Sequence, residues 1–498
     1  MNDGSAEDEG TTRRIPCALL LGLGLFLQCC DDTSGFTAAG RFQESASLPA
    51  DVSKGAAGVR RNVVLILIDT LRPDHLDLHG YPKETAPFLN ALGRDSVVFE
   101  RAFSSSSWTA PSTASVFTGL YPPRHGLIQG FRANLRSWKA GAERSAGEEK
   151  TLILTPLPEE ISTLPQRFQA AGYRTYGAAA NINIDERVGF ARGFDRFELD
   201  TKADAEDLFR QVEEWGAEIE SGDPYYLYLH FNDVHRPYEG REPWYEPGRQ
   251  KLDDFVARYD SEIRYLDGHL EALYRKLGWD RNTVLMMVSD HGEEFGEHGR
   301  IGHQFTLHQE VNRVLMMVHS PALTLPGRRV QVNVSLVDVM PTLLELASLP
   351  VPAAGDGMSL VPLLRDGVAQ ESEASFSDRT LYAHRANFAL EEKHLYGVIH
   401  GDYRLIENTA TGECGLFNFR ADPLETTDLS EEKPEIVEAL RAKLSAFKGQ
   451  GIRTAHKTVD ILLDDKMMNL LEELGYVEQD EPTNDAHDKD KSNTQERK

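Results

Sequence analysis

Three apolar runs stand out against an otherwise mixed chain: Val63 to Ile68, Tyr225 to Phe231 and Thr283 to Val288. Each is continuous rather than alternating and rich in β-branched or aromatic residues, which predicts strands covered on both faces, as in a parallel sheet. Between them the apolar spacing turns helical, over Pro87 to Ser96, Thr163 to Ala171, Ala203 to Glu220 and a long amphipathic stretch from Asp253 to Leu277, with a short strand at Thr175 to Ala179. Alternating strands and helices predict an α/β fold, a large mixed, mainly parallel sheet sandwiched between helices. From Leu381 the pattern changes. Leu395 to Ile399, Tyr403 to Ile406 and Leu416 to Phe419 read as strands, with Gly401-Asp402 as a hairpin turn, and Glu435 to Phe447 and Asp460 to Leu474 read as amphipathic helices. This end is expected to form a small antiparallel sheet with a helix.

The same reading divides the chain. Residues 1–30 resemble a signal or lipoprotein segment. Arg13-Arg14 precedes an apolar run from Ile15 to Leu27, the length of a signal-peptide core and too short to span a bilayer comfortably, with Cys29-Cys30 behind it as a lipid-attachment candidate. The expectation is export, to the periplasm or outer envelope, with membrane contact only through this segment. Residues 31–60 form a linker, 61–380 the main domain, 381–477 a small C-terminal α+β subdomain, and 478–498 a charged, apolar-poor tail expected to be disordered.

Charge and cysteine content then narrow the chemistry. The formal net charge of the 498 residues is −26, which argues against nucleic acid, because phosphate backbones are held by clusters of Lys and Arg. Of the four cysteines, Cys17, Cys29 and Cys30 precede the folded body and only Cys414 lies within it, so neither a disulfide framework nor a thiolate metal site is expected there. A metal would need oxygen and imidazole ligands.

Such residues stand where the strands stop. The first run ends at Asp69, the second at Asn232-Asp233-Val234-His235 and the third at Ser289-Asp290-His291, and open α/β sheets place their sites at the carboxyl ends of strands. A further candidate is Thr109, two residues before Pro111. Pro111 suits the first position of a helix running through Phe117. A helix start favours an anion, so Thr109 reads either as a nucleophile or as a helix cap. Asp69, Thr109, Asp290 and His291 make a hard ligand set suited to Ca, Mn, Mg or Zn, and such an ion would lower the pKa of the Thr109 hydroxyl.

Several stretches together resemble the sulfatase family within the alkaline phosphatase superfamily: Asn62 to His75, Trp108 to Gly126 and Ser289 to Glu293, followed by Gly296 to His303, Glu310 to Val314, Val337 to Leu344 and Asp356 to Leu360. Tyr403 to Ile406, Leu416 to Phe419 and Asp422 to Glu425 resemble that family's terminal sheet. The resemblance implies an ester hydrolase with Thr109 at the nucleophile position and Asp69, Asp290 and His291 holding the metal. It also implies departures. Sulfatases proper usually carry Cys or Ser, oxidised to formylglycine, where this chain has Thr109. They have a second acidic residue at Thr70 and an arginine at Thr113. The remaining set is closer to a threonine-nucleophile branch, so phosphodiester or phosphonate cleavage is expected ahead of sulfate-ester hydrolysis, phosphoglycerol transfer or binding of an anionic glycan without turnover.

His235 and His303 are candidates for substrate oxygen contact or leaving-group protonation. With Asp233 they could instead hold a second metal. Arg72 and Thr113 are the substrate-binding candidates, an Arg72–Asp74 ion pair being the alternative for Arg72. The expected partner is an anionic ester on a glycan, a lipid or an envelope polymer. Glu293, Glu294 and Glu297 are expected in a solvated turn, with one of them fixing His291 from behind as the alternative, and His125 and His298 on loop backbone.

Overall fold

The computed structural model describes residues 60–128, 151–321, 323–365, 370–386, 394–449 and 459–462. The chain divides into Met1–Gly58 and Val59–Lys498, and every described residue belongs to the second unit. The signal-like segment, almost all of the linker and the polar tail lie outside the described residues. None of the described helices is long and apolar enough to cross a membrane.

Eight strands build one sheet: β1 (Asn62–Ile68), β2 (Val97–Phe99), β3 (Arg174–Ala179), β4 (Arg196–Leu199), β5 (Tyr225–Phe231), β6 (Thr283–Ser289), β7 (Met316–His319) and β8 (Arg328–Val330). Their order is β8-β2-β7-β6-β1-β5-β3-β4. Neighbours are parallel except at β7, which runs against both β6 and β2. The sheet is thus mixed and mainly parallel, and the three apolar runs lie side by side at its centre as β6, β1 and β5.

Successive side chains of a strand point to opposite faces, so a continuous apolar run feeds two cores at once. Val63, Leu65 and Leu67 enter one core with α2 (Thr109–Thr118), α3 (Leu164–Ala170) and α6 (Val339–Leu346). Val64, Ile66 and Ile68 enter the other with α1 (Pro87–Gly93), α4 (Ala205–Glu214) and α5 (Lys251–Lys276). Helix α5 buries Tyr259, Ile263, Leu266, Leu270 and Leu273, a stripe at spacings of three and four that faces the sheet while the opposite side stays polar. Each such aliphatic side chain contributes roughly 1.5–3 kcal/mol by leaving water.

Where 203–220 was expected as one helix, the chain breaks at Trp215 into α4 and a single turn, Gly216–Ile219. A second sheet follows: β9 (Thr380–Ala386), β10 (His394–His400), β11 (Tyr403–Asn408) and β12 (Cys414–Asn418) form an antiparallel meander. Val437, Leu440, Leu444 and Phe447 of α7 (Pro434–Gly449) cover Val398, Leu405 and Leu416 of it. The helix expected from Asp460 is not what forms at its start. Val459–Leu462 is a strand paired antiparallel with Thr151–Leu154, the β-branched Val459 and Ile461 suiting an extended chain. Residues 463–474 lie outside the described residues.

Candidate active site

The carboxyl ends of β6, β1, β5 and β3 adjoin, and the residues that follow them meet the start of α2. Helix α2 is buried along its whole length, and the Ser112 hydroxyl donates to the Asp290 carbonyl at 2.7 Å, fixing the helix against the end of β6. The helix begins two residues earlier than expected. Thr109 is its first residue, Trp108 occupies the cap position without a side-chain cap hydrogen bond, and Pro111 stands third. A proline there loses no bond, because the first four N–H groups of a helix lack intrahelical partners. Gly119 closes α2 in the left-handed conformation, φ 66°, its N–H donating to the Ser115 carbonyl.

Thr109 therefore does not cap. Its Oγ1 lies 3.4 Å from Asp69 Oδ2 and 3.4 Å from His291 Nε2, with the residue only 2 % exposed. Asp69 Oδ2 also accepts from Asn181 Nδ2 at 2.7 Å and faces His230 Nε2 at 3.2 Å. Asp290 Oδ1 accepts from the backbone N–H groups of Thr70 and His291. The other oxygen of each carboxylate, Asp69 Oδ1 and Asp290 Oδ2, is buried without a hydrogen-bond partner. His291 Nδ1 donates to the Gly292 carbonyl at 2.9 Å, which leaves Nε2 to present its lone pair. That nitrogen stands 3.7 Å from Asp69 Oδ1 and 3.4 Å from Asp290 Oδ2.

A donor atom from each of Asp69, Asp290 and His291 thus lies within 4.8 Å of the others. Ions bound at about 2.0–2.4 Å keep their ligands within that span of one another, and unpartnered buried carboxylate oxygens are costly unless a cation meets them. The residues fit a divalent ion.

The electrostatics agree. Burial alone would raise the Asp69 carboxyl, but the His230 hydrogen bond and the charges of His235, His291 and His230 hold it well below the usual range. Burial and the neighbouring Asp69 charge push Asp290 up to about 6, and against the effect of burial the two carboxylates raise His291. Two acids crowded onto one imidazole is a site short of positive charge.

The backbone beside Asp69 is strained to make this meeting. Thr70 sits at φ 56°, a left-handed conformation that costs a β-branched residue on the order of 1–3 kcal/mol. Three contacts offset it: Thr70 Oγ1 donates to the Val234 carbonyl at 2.7 Å, its N–H to Asp290, and its carbonyl accepts from Tyr259 Oη at 2.9 Å.

The other candidates separate. The His303 and His291 rings lie 4.5 Å apart, and the His235 ring lies 5.2 Å from that of His303. His303 Nδ1 faces Glu293 Oε1 at 3.0 Å, and His235 Nδ1 donates to the Arg236 carbonyl at 2.7 Å. Asp233 does not join them. Its Oδ1 accepts the Ala205 N–H at the start of α4, and Asp233, His235 and His303 offer no common point within reach of one ion, against the expectation of a second metal there. Arg72 is a correction as well. It is buried and paired with Asp74 at 2.7 Å, Glu297 and the Glu293 carbonyl, so its guanidinium is spent on fixing the loop after β1. Thr113 is fully buried inside α2 and offers no substrate surface.

Of the three acids expected in a solvated turn, Glu293 and Glu294 are fully buried and Glu297 is partly exposed. Glu293 stands behind His303 rather than His291. Its Oε2 accepts from Tyr238 Oη at 2.6 Å, and although burial opposes ionisation, His303 holds it down at about 2. His125 meets the Pro111 carbonyl at 3.1 Å.

Asn181 and His230 were not anticipated. His230 interrupts the apolar run of β5, with Tyr228 Oη 2.8 Å from its Nδ1, and Asn181 stands two residues past the end of β3. A histidine inside an otherwise apolar strand was the available signal.

The family model described as Sulfatase matches residues 61–349, and a second, N-sulphoglucosamine sulphohydrolase, C-terminal, matches 296–450. An arylsulfatase of Clostridium perfringens is 24% identical over 463 residues, covering 77% of this chain and 93% of its own. Two solved structures share the fold. One is BT4656 in complex with its substrate D-glucosamine-2-N,6-O-disulfate, with a TM-score of 0.63 and 16% identity over 78% of this chain and 98% of that one. The other is a phosphonate monoester hydrolase of Agrobacterium radiobacter, with a TM-score of 0.61 and 17% identity over 78% and 96%.

Proposed function

The chain belongs to the sulfatase family of the alkaline phosphatase superfamily and is a hydrolase of ester bonds, and from that premise we propose that it cleaves a phosphodiester or phosphonate ester through Thr109. The observation that carries this reading is the position of Thr109 Oγ1, at the first turn of α2 and beside both Asp69 and His291. Asp69, Asp290 and His291 would hold the divalent ion, which when bound supplies positive charge to the Thr109 oxygen and to the ester oxygens.

Thr109 Oγ1 attacks phosphorus in line with the leaving oxygen as its proton passes to Asp69 Oδ2, 3.4 Å away. The P–O bond to the leaving alcohol breaks, and Thr109 carries the phosphoryl group. Water then attacks the same phosphorus and restores the hydroxyl. The first-turn N–H groups of α2 present partial positive charge to the phosphoryl oxygens. His303, oriented by Glu293, and His235 beside it contact those oxygens or exchange the proton of the leaving alcohol.

The side chain at position 109 favours phosphorus over sulfur. Formylglycine is an aldehyde, and oxidising threonine gives a ketone, because its Cβ carries a methyl group. The natural ester is proposed to be anionic and carried on a glycan, a lipid or an envelope polymer outside the cytoplasm, with residues 1–30 directing export.

The test is a panel of aryl phosphodiesters, phosphonate monoesters, phosphomonoesters and sulfates given to metal-replete protein and to Thr109→Ala. Phosphodiester or phosphonate turnover that disappears in Thr109→Ala is expected. Turnover that survives the substitution overturns the mechanism, and fast sulfate turnover with little phosphodiester activity overturns the substrate preference.

A further inference from the structure

Glu294 is the one acidic residue of the 293–297 turn left without a partner, since Glu293 meets His303 and Tyr238 and Glu297 meets Arg72. It begins the short strand Glu294–Phe295, which pairs with Ile301–Gly302. It is fully buried, and neither of its carboxylate oxygens has a hydrogen-bond partner. Burying a carboxylate without donors costs several kcal/mol unless a cation meets it or it takes up a proton.

A ligand oxygen of Glu294, a ring nitrogen of His298 and a carboxylate oxygen of the buried Glu310 all lie within 4.8 Å of one another. One ion with ligand distances of about 2.0–2.4 Å reaches all three. His298 is already oriented for this. Its Nε2 lies 3.3 Å from the Glu425 carbonyl, which can only accept, so Nε2 carries a proton and Nδ1 faces Glu310. Its ring stacks on His308 at 3.7 Å, and His308 Nδ1 in turn meets Glu425 Oε2 at 2.9 Å. A ring nitrogen turned to carboxylates, with the other ring N–H tied to a backbone carbonyl, is how metal-ligating histidines are held. Burial and the Glu310 charge push Glu294 up to about 7, and against the effect of burial Glu310 and Glu294 raise His298.

We propose that Glu294, His298 and Glu310 form a second divalent-cation site, separate from Asp69, Asp290 and His291 and suited to zinc or manganese. The carboxylate and imidazole ligands match those ions. The ion ties three segments together: the 294–298 turn, the short helix Gln309–Asn312 and, through His298, the loop carrying Glu425. Its role is structural.

The test is metal content per chain after loading with Mn²⁺ or Zn²⁺ and desalting, beside thermal unfolding with and without the ion. Glu294→Gln is expected to hold one ion fewer than wild type, and Asp290→Asn to retain the outer ion and to gain melting temperature when metal is added. The double variant Glu294→Gln/Asp290→Asn loses that gain. Because Glu294→Gln removes an unpartnered buried carboxylate, it is expected to fold. Glu294→Gln holding the wild-type number of ions overturns the proposal, as does Asp290→Asn protein that neither retains an ion nor responds to one. The comparison of wild type with Glu294→Gln does not depend on how Thr109 acts.

Discussion

Replacing His230 by phenylalanine tests how Asp69 is held. The ring is fully buried, with Nε2 3.2 Å from Asp69 Oδ2 and Nδ1 2.8 Å from Tyr228 Oη. The arrangement that satisfies both is an N–H donated to the carboxylate and a lone pair accepting the tyrosine proton. Phenylalanine keeps the volume and loses both bonds. A hydrogen bond to a charged group is worth about 1.5–3 kcal/mol, and a stranded buried hydroxyl costs about 1–3 kcal/mol. A stability loss of roughly 3 kcal/mol or more follows, read as a lower melting temperature. Groups behind a metal ligand typically govern ten- to hundredfold in metal affinity, about 1.4–2.8 kcal/mol.

The assay is ester hydrolysis against metal concentration at saturating substrate. The half-activating concentration is expected to rise by that factor while Asn181, at 2.7 Å from the same oxygen, preserves part of the orientation. His230→Gln, whose amide can donate again, is expected to recover part of the loss. A half-activating concentration within about twofold of wild type, together with an unchanged melting temperature, would refute the reasoning.

Two further expectations concern the C-terminal sheet. His384 is buried against His394 at 3.0 Å, and burial together with the His394 charge pushes its pKa down to about 3. With the folded pKa below the unfolded one near 6.5, the stability it contributes is complete above pH 6.5 and is lost as pH falls toward 3, by up to about 1.4 kcal/mol per pH unit. His384→Phe should flatten that part of the stability profile in chemical denaturation. Arg404 and Glu425 form a buried ion pair at 2.9 Å. Glu425→Gln leaves an uncompensated guanidinium, and a loss of about 3–5 kcal/mol is expected by the same measurement; a change below about 1 kcal/mol would assign the pair no more weight than a surface one.

The central strands were legible because β1, β5 and β6 are covered on both faces, so their runs are apolar almost throughout, His230 of β5 being the exception. The residues that end them, Asp69, Asp290 and His291, could be picked out from position alone, and the structure brings these three together. Strand order was not legible, and this hid Asn181. Its contact with Asp69 exists because β3 adjoins β5 and β5 adjoins β1. The chain from Val314 to His319 was not legible as strand. It is divided between two sheets, Val314 pairing with Ala102 and Met316 to His319 forming β7, and so short a run carries little period. Glu293 and Glu294 were misplaced in solvent because acidic turns usually are solvated. Their burial depends on Tyr238, His298, His303 and Glu310, which arrive from distant or folded-back segments that local pattern cannot show.

The central claim is that Thr109 carries the transferred group. The direct measurement is the mass of the peptide containing Thr109 after rapid acid quench during turnover of an aryl phosphodiester or phosphonate monoester. The account predicts a phosphoryl or phosphonyl adduct on Thr109 that is absent in Thr109→Ala and before substrate is added. Steady turnover with the Thr109 peptide unmodified at every quench time, under conditions where a product burst shows that an intermediate accumulates, would contradict it.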